Sequence, residues 1–358
     1  MNFQEYIVNP ETSIREAVTK MDKGGEGFLA ICQGEKLVAI LTDGDFRRAV
    51  LTGVDLSNFV LTISNQKFVF LDTTDKDKID EVFEKIPINH LPIILEGKLE
   101  RIVFRHAFYE GSVKSERLFA PAFRDSPVVI MAGGKGTRLK PYTNILPKPL
   151  VPVGSKSLVE HILEKFRVYG CSNFYLTLNH KAAIIRAYIE QLPHWRDCVK
   201  FVEEEKPLGT AGALHLLKGK LSRSFFLTNC DTLLLADYGT VYKFHISNNH
   251  SITIVGAVMN HKVPYGVCEV DKNGGLIQFK EKPETDYIVN TGFYLIEPNV
   301  LDLLEPGEVC GMNTLIHKAQ ESGLTIGVFP VMSHQWKDFG DMVHFQKEIQ
   351  GFPVERRD

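Results

Sequence analysis

Apolar positions in the first 120 residues recur in two matched blocks. Gly27 to Thr42 runs Gly-Phe-Leu-Ala-Ile-Cys, a turn at Gly34-Glu35, then Leu-Val-Ala-Ile-Leu-Thr. His90 to Phe104 runs His-Leu-Pro-Ile-Ile-Leu, a turn at Glu96-Gly97, then Leu-Glu-Arg-Ile-Val-Phe. Each block predicts a strand, tight turn, strand unit. Each follows a polar stretch, Ser13 to Met21 or Lys76 to Lys85, in which Ile14, Val18 and Met21, or Ile79, Val82, Phe83 and Ile86, fall at helical spacing. An internal duplication of about 60 residues accounts for this most simply, with repeats over about 1–60 and 61–118.

The texture changes across Phe119 to Pro127, where two prolines interrupt regular structure. This places a linker at 121–127 between a first module at 1–120 and a second domain at 128–350, with a polar tail at 351–358. Beyond the linker, strand and helix patterns alternate: Val128 to Met131, Leu158 to Tyr169, Phe174 to Leu178, Ala182 to Leu192, Lys200 to Glu203, Ala211 to Leu217 and Phe225 to Thr228. Leu158, Ile162 and Phe166 recur at i, i+4, i+8, and Gly170 is a stop signal. Such alternation predicts an α/β domain with a mainly parallel, Rossmann-like sheet covered on both faces, preceded by a smaller α+β repeat pair. Ligands then belong at the carboxyl ends of the strands.

Composition narrows the chemistry. Lys plus Arg total 41 against 44 Asp plus Glu, without a long run of one sign, which disfavours a nucleic-acid platform. The six cysteines include no Cys-x-x-Cys pair, and the twelve histidines no His-Glu-x-x-His cluster, so neither a disulfide framework nor a zinc site is expected. Met1 to Pro10 lacks a basic segment followed by an apolar stretch, and no run of 18 apolar residues occurs. Those features lead us to expect a cytoplasmic protein with no membrane partner.

Immediately after the apolar strand Val128 to Met131 comes Ala132-Gly133-Gly134-Lys135-Gly136-Thr137-Arg138-Leu139. Three glycines let backbone N–H groups surround an anion. Lys135 is followed by Gly136 rather than Ser or Thr, so this is not a Walker A loop, and Leu139 stands where the dinucleotide fingerprint needs a small residue. Pro141 and Pro147-Lys148-Pro149 keep Arg138 and Lys148 on an extended segment beside the glycines.

The run Gly133-Gly134-x-Gly136-Thr137-Arg138-Leu139-x-Pro141, then Pro147-Lys148-Pro149-Leu150, resembles the signature of sugar-phosphate nucleotidyltransferases, the nucleotide-sugar pyrophosphorylases. The resemblance continues to about Gln350. Glu203-Glu204-Glu205-Lys206-Pro207-Leu208-Gly209-Thr210-Ala211-Gly212 is similar to that family's base-recognition loop. Asn229-Cys230-Asp231 stands where the family usually has Gly-Asp. Tyr265-Gly266-Val267, Glu281-Lys282-Pro283 and Asn290-Thr291-Gly292 match segments that line the sugar and its phosphate, and Trp336 to Gly340 resembles the closing Trp-x-Asp-x-Gly element.

The resemblance implies attack of a sugar 1-phosphate on the α-phosphorus of a nucleoside triphosphate, with Mg2+ held by Asp231 and Asp338. Arg138, Lys148 and Lys282 are then the catalytic cations. Gly133, Gly134, Gly136, Thr137, Glu204, Pro207, Gly209 and Thr210 would hold the nucleotide, and Gly266, Glu281, Asn290 and Thr291 the sugar. A guanine edge offers N1–H and N2–H2 together to one carboxylate, so the glutamate run favours GTP, against a solvated strand end as the alternative. Phe279, Phe293 and Tyr294 are expected in the core rather than stacked on ligand.

The duplicated module resembles a cystathionine-beta-synthase-type (CBS) pair, a family whose repeats often bind a nucleotide between them. Thr42 and Asp45 match its Thr-x-x-Asp, whereas Phe104 and Ala107 occupy the equivalent places in the second repeat. The two residues either hydrogen-bond the ribose of a regulatory nucleotide or cap a helix starting near Phe46. Together the resemblances point to a homo-oligomeric guanylyltransferase of the kind that makes GDP-amino sugars from glucosamine 1-phosphate for bacterial nonulosonic acids. Alternatives are a mannose- or heptose-1-phosphate guanylyltransferase, a uridylyl or cytidylyl enzyme, or a catalytically silent nucleotide-sugar sensor. The N-terminal pair instead serves only assembly if strands such as Phe68 to Leu71 pack between chains.

Overall fold

A computed structural model describes residues 3–109 and 123–349, so the expected tail at 351–358 and the first two residues of the expected linker, 121 and 122, lie outside the described residues. The chain divides into two compact units, 1–119 and 120–358.

In the first unit β1 (Ile7–Val8), α1 (Ile14–Gly24), β2 (Phe28–Gln33), β3 (Lys36–Thr42) and α2 (Asp43–Leu51) are followed by α3 (Lys76–Lys85), β4 (His90–Leu95), β5 (Lys98–Phe104) and α4 (Arg105–Phe108). The two expected hairpins are β2–β3 and β4–β5, both antiparallel. Their turns sit on Gly34 at φ 65° and Gly97 at φ 80°, left-handed conformations that a side chain would disfavour. Phe28, Ala30 and Cys32 of β2 pack with Leu99 and Phe104 of β5, so the two repeats share one apolar cluster. Phe68 to Leu71 is not a strand: only Leu71 bridges, to Ile93, and Phe70 is exposed.

The second unit opens with β6 (Val128–Met131), the single turn α5 (Tyr142–Ile145), and the short pair β7 (Pro152–Val153) and β8 (Lys156–Ser157). Then come α6 (Leu158–Val168), β9 (Phe174–Leu178), α7 (Ala182–Glu190), β10 (Val199–Glu203), α8 (Gly209–Gly212), β11 (Phe225–Asn229), β12 (Thr232–Leu234) and α9 (Tyr238–Ser247). It closes with β13 (Ile252–Lys262), β14 (Val267–Val270), β15 (Leu276–Lys280), β16 (Glu284–Ile296), α10 (Met312–Glu321), β17 (Ile326–Met332), β18 (Trp336–Asp338) and α11 (Met342–Ile349).

The main sheet has seven strands in the order β10-β9-β6-β11-β16-β13-β17, and only β16 runs against the others. Strand alternation builds the two faces: Val128, Ile130 and Phe226 enter one apolar cluster, and Val129, Phe225 and Leu227 enter the other. α6 begins where Ser157 and Glu160 form a capping box, buries Leu158, Ile162 and Phe166 along one stripe, and stops before Gly170 at φ 80°. The helix expected over Ala211 to Leu217 is instead the turn α8 followed by a 3-10 segment, Ala213–Leu217.

Because β6, β9, β10 and β11 are parallel neighbours, the segments that follow them emerge at one sheet edge. That edge gathers the glycine loop, Asn179 to Lys181, Glu204, and Asn229 to Asp231. Beyond it, β13 and the first half of β16 continue as a two-stranded ribbon whose side chains are mostly exposed, with the β14–β15 hairpin alongside. Phe293 and Tyr294 are core residues, as expected, but Phe279 on β15 is 57% exposed. An alternating pattern cannot reveal that both faces of a hairpin lie uncovered.

Candidate active site

The site is assembled where β12 meets β18. These short strands pair antiparallel with Thr232 opposite Asp338, and the Phe339 amide donates to the Asp231 carbonyl at 2.9 Å. The pairing brings two distant carboxylates over Gly340. A Cβ on Gly340 would sit 2.8 Å from Asp338 Oδ1, 2.9 Å from Asp231 Oδ2 and 3.5 Å from a terminal guanidinium nitrogen of Arg138. A side chain there would have to displace both carboxylates. The Gly340 amide donates to Asp338 Oδ1 at 2.8 Å and fixes that carboxylate. Burial, and after it the Asp231 charge, raise the Asp338 carboxyl above its ordinary range.

Lys148 forms a buried ion pair with Asp231 Oδ2. Burial by itself lowers an ammonium pKa, yet the Asp231 charge, the nearby Cys230 thiol and the hydrogen bond hold Lys148 above the usual lysine range. Gly136, in the left-handed region at φ 63°, carries the glycine loop against Lys148: a Cβ there would come within 2.9 Å of Lys148 Cβ and of Thr143 Cγ2. Cys230, the departure from the usual glycine, points into the core, where burial pushes its thiol up to about 12 and leaves it inert. Arg138, Thr137 and Gly134 are exposed at the loop's rim.

The three glutamates separate cleanly. Glu203, the last residue of β10, pairs with Arg186, which lies over the Phe201 ring, and Glu205 is exposed. Glu204 turns the other way: its Oε1 would lie 2.8 Å from a Cβ on Gly133, and its Oε2 accepts from the Leu208 amide at 2.8 Å. Burial raises its carboxyl, with the Leu208 amide working against that. Pro207 and Gly209 continue the loop; Gly209 is at φ 82°, and a side chain there would also strike the Cys310 carbonyl. Thr210 Oγ1 accepts from the Met312 amide at 2.9 Å, at the start of α10, so its hydroxyl is tied to that helix.

Residues expected around the sugar are less gathered. Gly266 and Glu281 face one another across the β14–β15 pairing, with Glu281 Oε2 3.0 Å from where a Gly266 Cβ would be. Lys282 is exposed at φ 44° and, among the described residues, is not drawn to the Asp231 cluster by any hydrogen bond or ion pair. Asn290 donates to Tyr294 Oη at 2.7 Å and accepts from the Gly292 amide at 2.9 Å. Thr291 is buried and donates to the Val255 carbonyl at 2.8 Å, where it braces the β13–β16 irregularity. Asn229 enters instead: its amide lies over Gly292, whose Cβ would come within 2.2 Å of it. The sequence marks Asn229 only as part of a motif.

In the first unit Thr42 and Asp45 form a capping box for α2. Thr42 Oγ1 donates to Asp45 Oδ2 at 2.6 Å, the Thr42 amide donates to the same oxygen at 2.9 Å, and Arg48 occupies Oδ1 at 2.5 Å. The helix starts at Asp43, three residues before the expected Phe46.

Comparison with known proteins gives the family of the second unit. The nucleotidyl transferase family matches residues 127–351, and the chain belongs to it. The CBS domain matches residues 1–52. A UTP–glucose-1-phosphate uridylyltransferase of Synechocystis sp. is 29% identical over 242 residues, 62% of either chain. A mannose-1-phosphate guanyltransferase of Pichia angusta is 33% identical over 186 residues, 49% of this chain and 51% of its own. The chain thus spans between 51% and 62% of the length of these curated relatives. Among solved structures, HddC from Yersinia pseudotuberculosis is 24% identical, with a TM-score of 0.49, covering 63% of this chain and 99% of its own.

Nucleotidyltransferases of this family generally use a divalent metal. The donor set suits a hard cation: two carboxylates converge over a glycine, a number that Mg2+ commonly accepts when substrate phosphates and water complete its shell. Among the described residues no group of three or more His, Cys, Asp or Glu could hold a metal. Among them, too, no helix is long and apolar enough to cross a membrane.

Proposed function

We propose that this protein transfers a nucleotidyl group from a nucleoside triphosphate to a sugar 1-phosphate, releasing pyrophosphate. The observation that carries the reading is the convergence of Asp231, Asp338, Arg138 and Lys148 at Gly340 beside the glycine loop. A phosphomonoester is mostly dianionic at neutral pH, since its second ionisation lies near about 6. The nucleophile therefore needs no general base. One of its oxygens bonds to the α-phosphorus as the bond from that phosphorus to the β-bridging oxygen breaks, and the electron pair leaves with pyrophosphate.

The obstacle is repulsion between two polyanions, so the protein's contribution is charge and alignment. Lys148, kept protonated by Asp231, presents a fixed positive charge at the reacting phosphate. Arg138, exposed at the loop rim, offers a planar fork to the departing pyrophosphate, while the backbone of Gly133 to Gly136 cradles the phosphates. Mg2+ held by Asp231 and Asp338 would neutralise charge on the α-phosphate. On the sugar side, Lys282 is assigned the sugar phosphate, and Gly266 and Glu281 the sugar itself.

GTP is the favoured donor. Glu204, the one glutamate of three turned toward the glycine loop, can accept guanine N1–H and N2–H2 together. Glucosamine 1-phosphate is the favoured acceptor on resemblance; mannose and heptose 1-phosphates come next, the former because a curated relative carries that name. A panel of GTP, UTP, CTP and dTTP against glucosamine, mannose, heptose and glucose 1-phosphates, read by pyrophosphate release with Mg2+, tests every part. Fastest turnover with GTP is expected. Faster turnover with UTP or CTP removes the guanine assignment, and no release with any pair favours a silent nucleotide-sugar sensor. Glu204→Gln is expected to cut the preference for GTP over UTP by about 10-fold or more, the scale of one lost charged hydrogen-bonding partner.

A further inference from the structure

We propose that Lys181 is a positioning residue for this reaction, clamping the segment that carries Lys148. The inference rests on the role given to Lys148 above. Lys181 lies just beyond β9, as the residue preceding α7, and holds the left-handed conformation at φ 56°, uncommon for a residue with a Cβ. It makes no side-chain cap for α7. Its side chain reaches across to another segment, where the ammonium donates to three successive carbonyls: Thr143 at 3.0 Å, Asn144 at 2.9 Å and Ile145 at 2.9 Å.

An ammonium has three protons, and all three are engaged. The carbonyls belong to α5, a single turn that lies far below the length at which a helix sustains itself, and whose terminal carbonyls have no partners within the helix. Lys181 supplies them. What it holds in place is tied directly to the site. Thr143 Oγ1 donates to the Gly136 carbonyl at 2.8 Å, so one end of the clamped turn fixes the glycine loop. From the other end the chain passes through Leu146 and Pro147 to Lys148, with proline limiting the slack.

The residues beside Lys181 make the same kind of connection. The His180 amide donates to the Gly133 carbonyl at 3.3 Å, and Asn179 Nδ2 donates to the Glu204 carbonyl at 2.9 Å. Three consecutive residues after β9 thus join the glycine loop, the Glu204 segment and the Lys148 segment. With its protons committed to carbonyls, Lys181 acts through Lys148 rather than on substrate.

The test uses the full chain and two variants. Lys181→Met keeps the stem and removes the donors. Lys181→Gly removes the donors as well but relieves the left-handed backbone, so a failure to fold in the first does not confuse the result. In both, amide hydrogen exchange in residues 142–148 should quicken by about 10-fold or more while the core strands stay protected. Turnover should fall by about 10- to 100-fold with the KM for nucleotide nearly unchanged, the cost of a displaced charge. Adding Lys148→Met to either variant should cost no more than Lys148→Met alone. Unchanged exchange across 142–148, or losses that multiply in the double variant, would overturn the proposal. If the parent protein shows no turnover at all, the functional reading fails, and the exchange measurement alone decides the clamp.

Discussion

The Thr42–Asp45 pair of the first unit and the Asp231–Asp338 pair of the second occupy similar places in their folds, polar groups at or just past the end of a strand. They end in opposite conditions. Thr42 and Asp45 lie three residues apart and satisfy each other, with Arg48 on the remaining carboxylate oxygen. Asp231 and Asp338 are like charges that cannot satisfy one another, and Asp338 is pushed toward its neutral form by burial and by its neighbour. Complementary groups close in sequence make a self-contained cap. Like-charged groups brought together only by tertiary structure persist because the fold holds them, and they invite a cation.

This contrast is open to attack at three strengths. The largest effect is expected from Asp231→Asn, which deprives both the cation site and Lys148 of a carboxylate: pyrophosphate release should fall about 1,000-fold or more in a steady-state assay. Retention of turnover within about tenfold would place the chemistry elsewhere.

Next comes acid sensitivity of the first unit. Burial lowers the His90 imidazole to about 4, so the native state resists a proton that the unfolded chain accepts. Stability is then full above the unfolded value near 6.5 and declines as pH falls from there toward about 4, by about 3 kcal/mol in all. Melting curves at pH 7 and pH 5 should show it, and His90→Phe, which retains a ring against Phe28, should flatten the dependence. An unaltered slope in that variant would assign the acid response to groups other than His90.

The smallest effect sharpens the comparison most. Thr42→Val should lower stability by about 1 kcal/mol, the usual worth of a helix cap, and leave calorimetric binding of adenine and guanine nucleotides unaltered. A tenfold loss of nucleotide affinity at unchanged stability would turn the cap into a ligand site.

Much of the second unit's architecture was legible because its signals are local. Val128 to Met131 and Phe174 to Leu178 have the bounds expected from apolar runs, and Gly170 follows the end of α6 as expected. The approach of the glycine loop to Lys148 was legible through glycine spacing, but Arg138 and Lys148 lie in the 3-10 turns Thr137–Leu139 and Lys148–Leu150 rather than on the extended segment the prolines suggested. The surroundings of Asn290 and Thr291 were not legible. Asn290 and Thr291 meet backbone and Tyr294 through the β13–β16 irregularity, which depends on a register between two strands that no single segment encodes. The glutamate run was ambiguous for a similar reason: which carboxylate faces the glycine loop depends on where β10 ends, and it ends at Glu203. Lys181 carries no motif at all, since its partners lie 36 to 38 residues earlier in the chain.

The pairing of β12 with β18 also sets a timetable. During synthesis the glycine loop, Lys148 and Asp231 all leave the ribosome well before Asp338, and β12 waits without its partner strand until Trp336 to Asp338 arrive. Until that late stitch is made the nascent chain carries only one of the two carboxylates that meet over Gly340.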